Sequence, residues 1–284
     1  MVNHYPNLFV VGAPRCGTTA MCLYLKQHPS IHLSILKEPH YFATDLMVQP
    51  HTITDEDEYL GLFTDRPINA EGSVWYLQSE AAPKNIQTHC PDAKIIIMLR
   101  RPWQQIQSLH SLYLRTTNED QADLEKAIGL CESRLQGKEI PSTSYFHDGL
   151  QYLRNASYYD NVKRYLDIFG DRVKVILFDD FIKKTSAVMA DTFEFIGVEP
   201  CSEIEYDQHQ ATLMLRNTAL HQLRRQPDSV RNKLHRNYVS VHETKETAPM
   251  SEALKQHLMD YYRQDVAVTA ELLKQDLLSL WYQN

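Results

Sequence analysis

Two hydrophobic patterns alternate along this chain. Short apolar runs, the last two holding a single lysine each, stand at Leu8–Val11 (LFVV), Ala93–Leu99 (AKIIIML) and Val173–Phe178 (VKVILF), each with a stretch of helical spacing behind it. Predominantly apolar runs of this length, rich in β-branched residues, suit strands covered on both faces. The run at 93–99 is the strongest and ends in Arg100-Arg101-Pro102. Proline fits a first helical turn, and Ile106, Leu109, Leu112 and Tyr113 give the following helix an apolar stripe. The run at 8–11 breaks at Gly12-Ala13-Pro14; Gly17-Thr18-Thr19 then opens a helical segment that ends at His28-Pro29.

Weaker signals fill the intervals. Ile31–Ile35 alternates like a short strand, and Asn69–Leu77 reads as a strand end. Ala81–His89, Ser157–Phe169 and Phe181–Ile196 read as helices, with turns at Gly170-Asp171 and at Gly197 to Pro200. Residues 50–66, with the acidic run Asp55–Glu58, read as surface helix or loop, and 116–150 as a polar insertion facing an acceptor. Cys201–Met250 is basic and polar without a clear period, while Glu252–Tyr262 and Ala267–Leu280 read as helices. Strands alternating with helices predict the α/β class: a doubly wound parallel sheet flanked by helices, with a helical C-terminal region. The expected organisation is one domain over 1–284, an α/β core at 8–198 and a mostly helical part at 199–284.

Composition narrows the function. The 284 residues, 43% of them hydrophobic, are enough for a large core. No apolar run reaches 18 residues, so no membrane span is expected. The N-terminus lacks the features of a signal peptide. Five scattered cysteines, never spaced C-x-x-C, point to a reducing cytoplasm without structural zinc. A formal charge of −7 disfavours nucleic acid, anionic lipid and, more mildly, a heavily sulfated acceptor. Any anion site must therefore be a local basic pocket.

Such a pocket is suggested at GAPRCGTT. A strand, a glycine-bounded loop and a helix start leave unpaired N–H groups at the positive end of a helix dipole. The spacing from Gly12 to Gly17 is that of a P-loop, but Thr18 replaces the lysine that serves a triphosphate, and the cation sits in mid-loop at Arg15. An arginine there suits one terminal anionic group gripped by its fork. The alternative is a strand-to-helix turn with no ligand. Lys37-Glu38-Pro39-His40-Tyr41-Phe42 gathers three titratable groups in one turn; its alternative is a solvated turn with a salt bridge. Ligands bind at the carboxyl ends of parallel strands, so Arg15, Glu38, Ser73 and Arg100 are expected on one edge.

These residues resemble the sulfotransferases that use 3′-phosphoadenosine 5′-phosphosulfate (PAPS). GAPRCGTTAMCLYLKQHP is similar to the family's 5′-phosphosulfate loop in its bacterial form, with arginine for lysine. IIIMLRRPWQQIQSLHSLY resembles the 3′-phosphate segment, with Arg100 followed eight residues later by Ser108. KEPHYF resembles the K-E-x-H-F-F turn of the carbohydrate, heparan-type branch. EGSVWYL and SYYDNVKRYLDIFGDRVKVILFDDF are fainter likenesses.

The resemblance implies a PAPS-dependent enzyme that releases adenosine 3′,5′-bisphosphate (PAP) and needs no metal. It implies that Ala13, Pro14, Arg15, Cys16, Gly17, Thr18 and Thr19 hold the 5′ end, and Arg100 with Ser108 the 3′-phosphate. Arg15 matches the catalytic cation and Glu38 the base; His40 is the second candidate base or an orienting group. Lys37, Tyr41, Phe42, Ser73 and Tyr76 are expected around the acceptor, a saccharide or a small neutral or cationic natural product, sulfated on oxygen or nitrogen. Two departures stand out. Ser73 occupies a position where the carbohydrate branch often has lysine, and the basic loop that closes over the nucleotide has no clean counterpart among Arg216, Arg224, Arg225, Arg231 and Lys233. Two other readings stay open: a P-loop kinase or NTPase using Asp179-Asp180 to hold Mg²⁺, and a non-catalytic PAP-binding protein.

Overall fold

In the computed structural model the described residues are 5–201, 203–206 and 249–283. Five strands form one parallel sheet: β1 (Leu8–Gly12), β2 (Ile31–Leu33), β3 (Ile68–Glu71), β4 (Lys94–Leu99) and β5 (Val173–Leu177). Their order is β2-β3-β1-β4-β5. The expected parallel α/β sheet is therefore present. Its central strands are the apolar runs: Phe9 to Val11 and Ile95 to Leu99 are wholly buried. Each such side chain contributes about 1.5–3 kcal/mol by leaving water. The chain leaves β1 towards β2 on one side and β4 towards β5 on the other. The switch point, where a parallel sheet opens a crevice, thus lies between the carboxyl ends of β1 and β4.

The described residues cluster into two compact units. The first comprises the described residues up to 46, 51–100 and 161–206, and holds the sheet with helices α1 (Thr18–Gln27), α2 (Glu56–Leu60) and α3 (Ala82–His89).

The second comprises 47–50, 101–160 and 249–283. It holds α4 (Pro102–Arg115), α5 (Leu124–Gly129), α6 (Cys131–Leu135) and α7 (Tyr152–Asn155). Helix α8 (Tyr159–Phe169) begins in this unit and runs on into the first, which also holds α9 (Phe178–Lys183) and α10 (Thr185–Ile196). The second unit ends with α11 (Glu252–Leu273) and α12 (Leu277–Tyr282). Within it, α4 buries Trp103, Ile106, Leu109 and Tyr113 and packs against α11. The Asp265 carboxylate of α11 accepts the Tyr158 and Tyr159 N–H groups at 2.9 and 3.2 Å, capping the start of α8. From α6, Arg134 grips Glu119 with both terminal guanidinium nitrogens, at 2.6 and 2.8 Å, and Tyr152 donates its hydroxyl to the same carboxylate at 2.9 Å.

Several boundaries differ from the sequence reading. β2 stops at Leu33 because the Ser34 hydroxyl donates to the Leu36 carbonyl at 2.6 Å and turns the chain. The stretch 69–77 is not one strand: it leaves the sheet after Glu71, and Val74–Leu77 winds into a 3₁₀ turn. The helix expected over 181–196 is two, parted at Lys184, whose φ of −134° is not helical. At the C-terminus the break between the two helices falls at Lys274, in the left-handed region at φ 53°, and not between Tyr262 and Ala267. The expectations for most of Cys201–Met250, including Arg216, Arg224, Arg225, Arg231 and Lys233, lie outside the described residues. All five cysteines are free thiols, and no described helix is long and apolar enough to cross a membrane.

Candidate active site

The loop after β1 is shaped by glycine where glycine is needed. Gly12, at φ 143°, sits at an irregularity of the β1–β4 pairing, and a Cβ there would come within 2.5 Å of the Val74 carbonyl oxygen. Gly17, at φ 88°, opens α1 with no side-chain cap. The helix's first N–H groups are therefore left for something other than a capping side chain. Ala13 N–H donates to the Met98 carbonyl at 2.7 Å, pinning the loop to the end of β4. Cys16 is fully buried and Thr18 nearly so, whereas Arg15 is exposed at a left-handed φ of 67°.

Arg100 follows directly on β4. Its Nη1 donates to the Arg15 carbonyl at 3.3 Å, and its guanidinium lies 4.6 Å from the centroid of the Phe178 ring. Two arginines 85 residues apart in sequence are thus brought together in the β1/β4 crevice. Ser108 lies half-buried on α4, in the second unit.

Between β2 and α2 runs the turn of Glu38. Glu38 N–H donates to the Gly72 carbonyl at 3.2 Å, so the turn hangs from the segment that follows β3. His40 N–H donates to the Ser73 hydroxyl at 3.0 Å, and Phe42 N–H to the Tyr76 hydroxyl at 3.1 Å. Ser73, Tyr76 and Phe42 are buried. Their polar groups serve the turn itself, which makes them its support rather than its surface. Tyr41 is half-exposed and stacks on Tyr59 with ring centroids 4.2 Å apart. Glu38 and His40 both have left-handed backbones, φ 60° and 51°, on either side of Pro39. Non-glycine residues hold this conformation where the surroundings over-determine it.

The carboxylate of Glu38 is about a quarter exposed. Its Oε1 pairs with the Lys37 ammonium, and its Oε2 lies 3.8 Å from His40 Nε2. Burial works to raise its pKa, but the Lys37 cation and then His40 and His51 outweigh this and hold it well below the usual carboxylate range. His40 is 3% exposed, and burial lowers its pKa against the pull of Glu38. His51 was not anticipated. The Ile53 N–H donates to the Pro39 carbonyl at 2.9 Å and draws its segment to the turn, leaving the His40 and His51 rings 5.6 Å apart. Burial, then the neighbouring His40, lowers the His51 pKa to about 4.

A second carboxylate lies below. Glu71, the last residue of β3, has no exposed surface and accepts the hydroxyls of Tyr59 and Tyr76 at 2.7 and 2.9 Å. Burial pushes its pKa up to about 7, opposed by the hydroxyls of Ser73, Tyr59 and Tyr76.

Asp179 and Asp180 occupy the first turn of α9, after β5. β4 stands between β5 and β1 in the sheet, and Phe178, the residue before Asp179, brings its ring close to Gly17.

The sequence profile of the sulfotransferase domain matches residues 5–268. The chain belongs to the sulfotransferase family. The crystal structure of a sulfotransferase from Alicyclobacillus acidocaldarius is similar over 99% of this chain and all of that one, with a TM-score of 0.74 and 28% identity. Among curated proteins, the bifunctional heparan sulfate N-deacetylase/N-sulfotransferase 4 of Mus musculus is 29% identical over 217 residues, 70% of this chain and 23% of that protein. Carbohydrate sulfotransferase 15 of Rattus norvegicus is 23% identical over 255 residues, 70% of this chain and 45% of that protein. This sulfotransferase chain spans about a quarter of the length of the heparan relatives it matches.

Proposed function

We propose that this sulfotransferase moves the sulfuryl group of PAPS to a hydroxyl, or an amine, of a small-molecule or saccharide acceptor. The observation that carries the reading is the meeting of Arg15 and Arg100 beside the uncapped start of α1, at the switch point of the sheet. A donor with two separated anionic ends needs two cationic positions, not one triphosphate cradle. The residues present fit it: Arg15 and the N–H groups from Ala13 to Thr19, with the Thr18 and Thr19 hydroxyls, for the 5′ end, and Arg100 for the 3′-phosphate. The assignment of Ser108 to that phosphate rests on the sequence pattern.

The donor, when bound, supplies an activated sulfuryl group whose transfer leaves an anionic nucleotide. Arg15 places a fixed positive charge where negative charge grows as the S–O bond breaks. Glu38, kept ionised by Lys37, accepts the acceptor's proton. A carboxylate that weak as a base takes a hydroxyl proton late, as bonding to sulfur makes the oxygen acidic. His40 orients Glu38, and Ser73 and Tyr76 hold the turn. The net charge of −7 supports a neutral or cationic acceptor over a polyanionic one, and five free thiols support a reducing compartment such as the cytoplasm.

The test is a screen of hydroxylated and amine acceptors with ³⁵S-labelled PAPS. Arg15→Ala and Arg100→Ala are expected to impair use of the donor, and Glu38→Gln to slow turnover while PAP binding persists. Full activity in Glu38→Gln would move the base elsewhere. PAP binding with no transfer to any acceptor would favour the non-catalytic reading.

A further inference from the structure

One oxygen or nitrogen from each of Glu38, His40 and His51 lies within 4.8 Å of the others. The trio is a carboxylate with two imidazoles, the donor set that zinc and other borderline divalent metals prefer. Its members are oriented by the fold. Lys37 occupies Glu38 Oε1 and leaves Oε2 towards His40. Ser73 fixes the His40 backbone, and the Ile53–Pro39 hydrogen bond carries His51 to the cluster.

A second observation points the same way. His40 is 97% removed from solvent, yet neither ring nitrogen has a hydrogen-bond partner. A buried imidazole with both nitrogens unsatisfied is costly, and groups of this kind call for an explanation such as an ion. Sulfuryl transfer asks for one general base, with His40 to orient it, and leaves the His51 imidazole beside them unaccounted for.

We propose that Glu38, His40 and His51 form a site for one divalent metal ion of the zinc type, and that occupancy of this site switches off sulfuryl transfer. Tetrahedral zinc holds its ligands at about 2.0–2.2 Å, hence roughly 3.5 Å from one another. Closing the trio from its present spread needs a shift of about 1 Å, within reach of side-chain torsions at half-buried His51. Glu38 and the two histidines supply three ligands, and water or an acceptor oxygen the fourth. The metal takes the lone pair of Glu38 that would receive the acceptor's proton, so the ion and the proton compete for one oxygen. No net redox change is involved, and removing the ion restores the base. Metal binding stands on geometry alone; its inhibitory consequence rests on Glu38 being the base.

The test is calorimetric titration of the whole chain with Zn²⁺, joined by the visible spectrum of the Co²⁺-loaded protein. The expected result is one ion per chain, with affinity at least tenfold weaker in His51→Ala and in Glu38→Gln, and unchanged in His257→Ala, a histidine on the exposed face of α11. PAP binding by His51→Ala, unchanged from wild type, certifies that this variant is folded; His51→Gln provides a second, milder substitution. Zinc is expected to inhibit transfer reversibly, chelator to restore it, and His51→Ala to need at least tenfold more zinc. A titration that these substitutions leave unchanged, or no binding at all, overturns the site. Binding that leaves transfer unchanged or raises it overturns the inhibitory role. If PAP fails to bind while zinc binds as described, the functional reading falls and the metal site stands.

Discussion

Arg100 turns back from the end of β4 and donates from Nη1 to the backbone carbonyl of Arg15 at 3.3 Å, so the cation that follows β4 braces the loop that follows β1. The same guanidinium lies over Phe178, 4.6 Å from the ring centroid, at the start of α9. Its orientation is therefore set by three elements of one sheet edge: the β1 loop, the end of β4 and the helix after β5.

Phe178→Leu keeps both arginines and removes the platform. Cation–π contacts at accessible sites contribute about 0.5–1 kcal/mol, so PAP affinity should fall about two- to fivefold. Calorimetry with PAP checks this; a Phe178→Leu protein that binds PAP as wild type does would show that stacking plays no part in positioning Arg100.

The Ser73 hydroxyl holds the His40 N–H at 3.0 Å and so fixes the turn on which Glu38 stands. A hydrogen bond of this kind contributes about 1 kcal/mol. Ser73→Ala should lower kcat about fivefold with PAP affinity unaltered, while Ser73→Thr retains the acceptor oxygen and most of the rate. Equal losses in kcat and in PAP affinity would mean that the turn and the nucleotide loop are one structural unit.

Glu71 makes stability depend on pH. Its folded pKa is raised, by burial first, from the usual 4.5 to about 7. The folded chain therefore binds its proton more tightly than the unfolded chain. The stabilisation is complete below pH 4.5 and is lost as pH rises to about 7, by up to about 3 kcal/mol. Glu71→Gln stays uncharged and should flatten this slope in urea unfolding between pH 5 and 8. A wild-type curve that is flat or rises over that window would refute the assignment of a raised pKa to Glu71.

In the second unit, Arg134 and Glu119 are almost wholly buried and joined by two hydrogen bonds. Removing one partner leaves an uncompensated buried charge, so Arg134→Ala should cost about 3–5 kcal/mol. The paired change Arg134→Met with Glu119→Leu should cost much less, leaving chiefly the lost hydrogen bonds from Tyr152 and the Asp120 and Gln121 N–H groups. A double-mutant cycle by denaturant unfolding measures the coupling.

Much of the fold was legible because its determinants are local. The runs at 8–11, 93–99 and 173–178 are apolar but for Lys94 and Lys174, and the strands they predict lie at the middle and one edge of the sheet. Arg15 and Glu38 stood out by residue type and spacing. What escaped notice was fixed by contacts distant in sequence. Nothing around His51 marks it, since its place beside His40 depends on a backbone hydrogen bond from Ile53 to Pro39. Ser73 and Tyr76 read as acceptor contacts, because sequence shows a polar group near a motif and not the Phe42 and His40 N–H groups that claim it. The break at Lys274 has no glycine or proline to announce it, and depends on a lysine in the left-handed conformation.

The central claim is that the donor nucleotide is held by Arg15 and Arg100 together in the crevice between β1 and β4. Calorimetric titration with PAP of the wild type, Arg15→Ala, Arg100→Ala and the double variant tests it most directly. The account predicts one PAP per wild-type chain, affinity at least tenfold weaker in Arg100→Ala, and a loss in the double variant that differs from the sum of the singles, because the two residues touch. Wild-type affinity in Arg100→Ala, or no heat from the wild type itself, would contradict it.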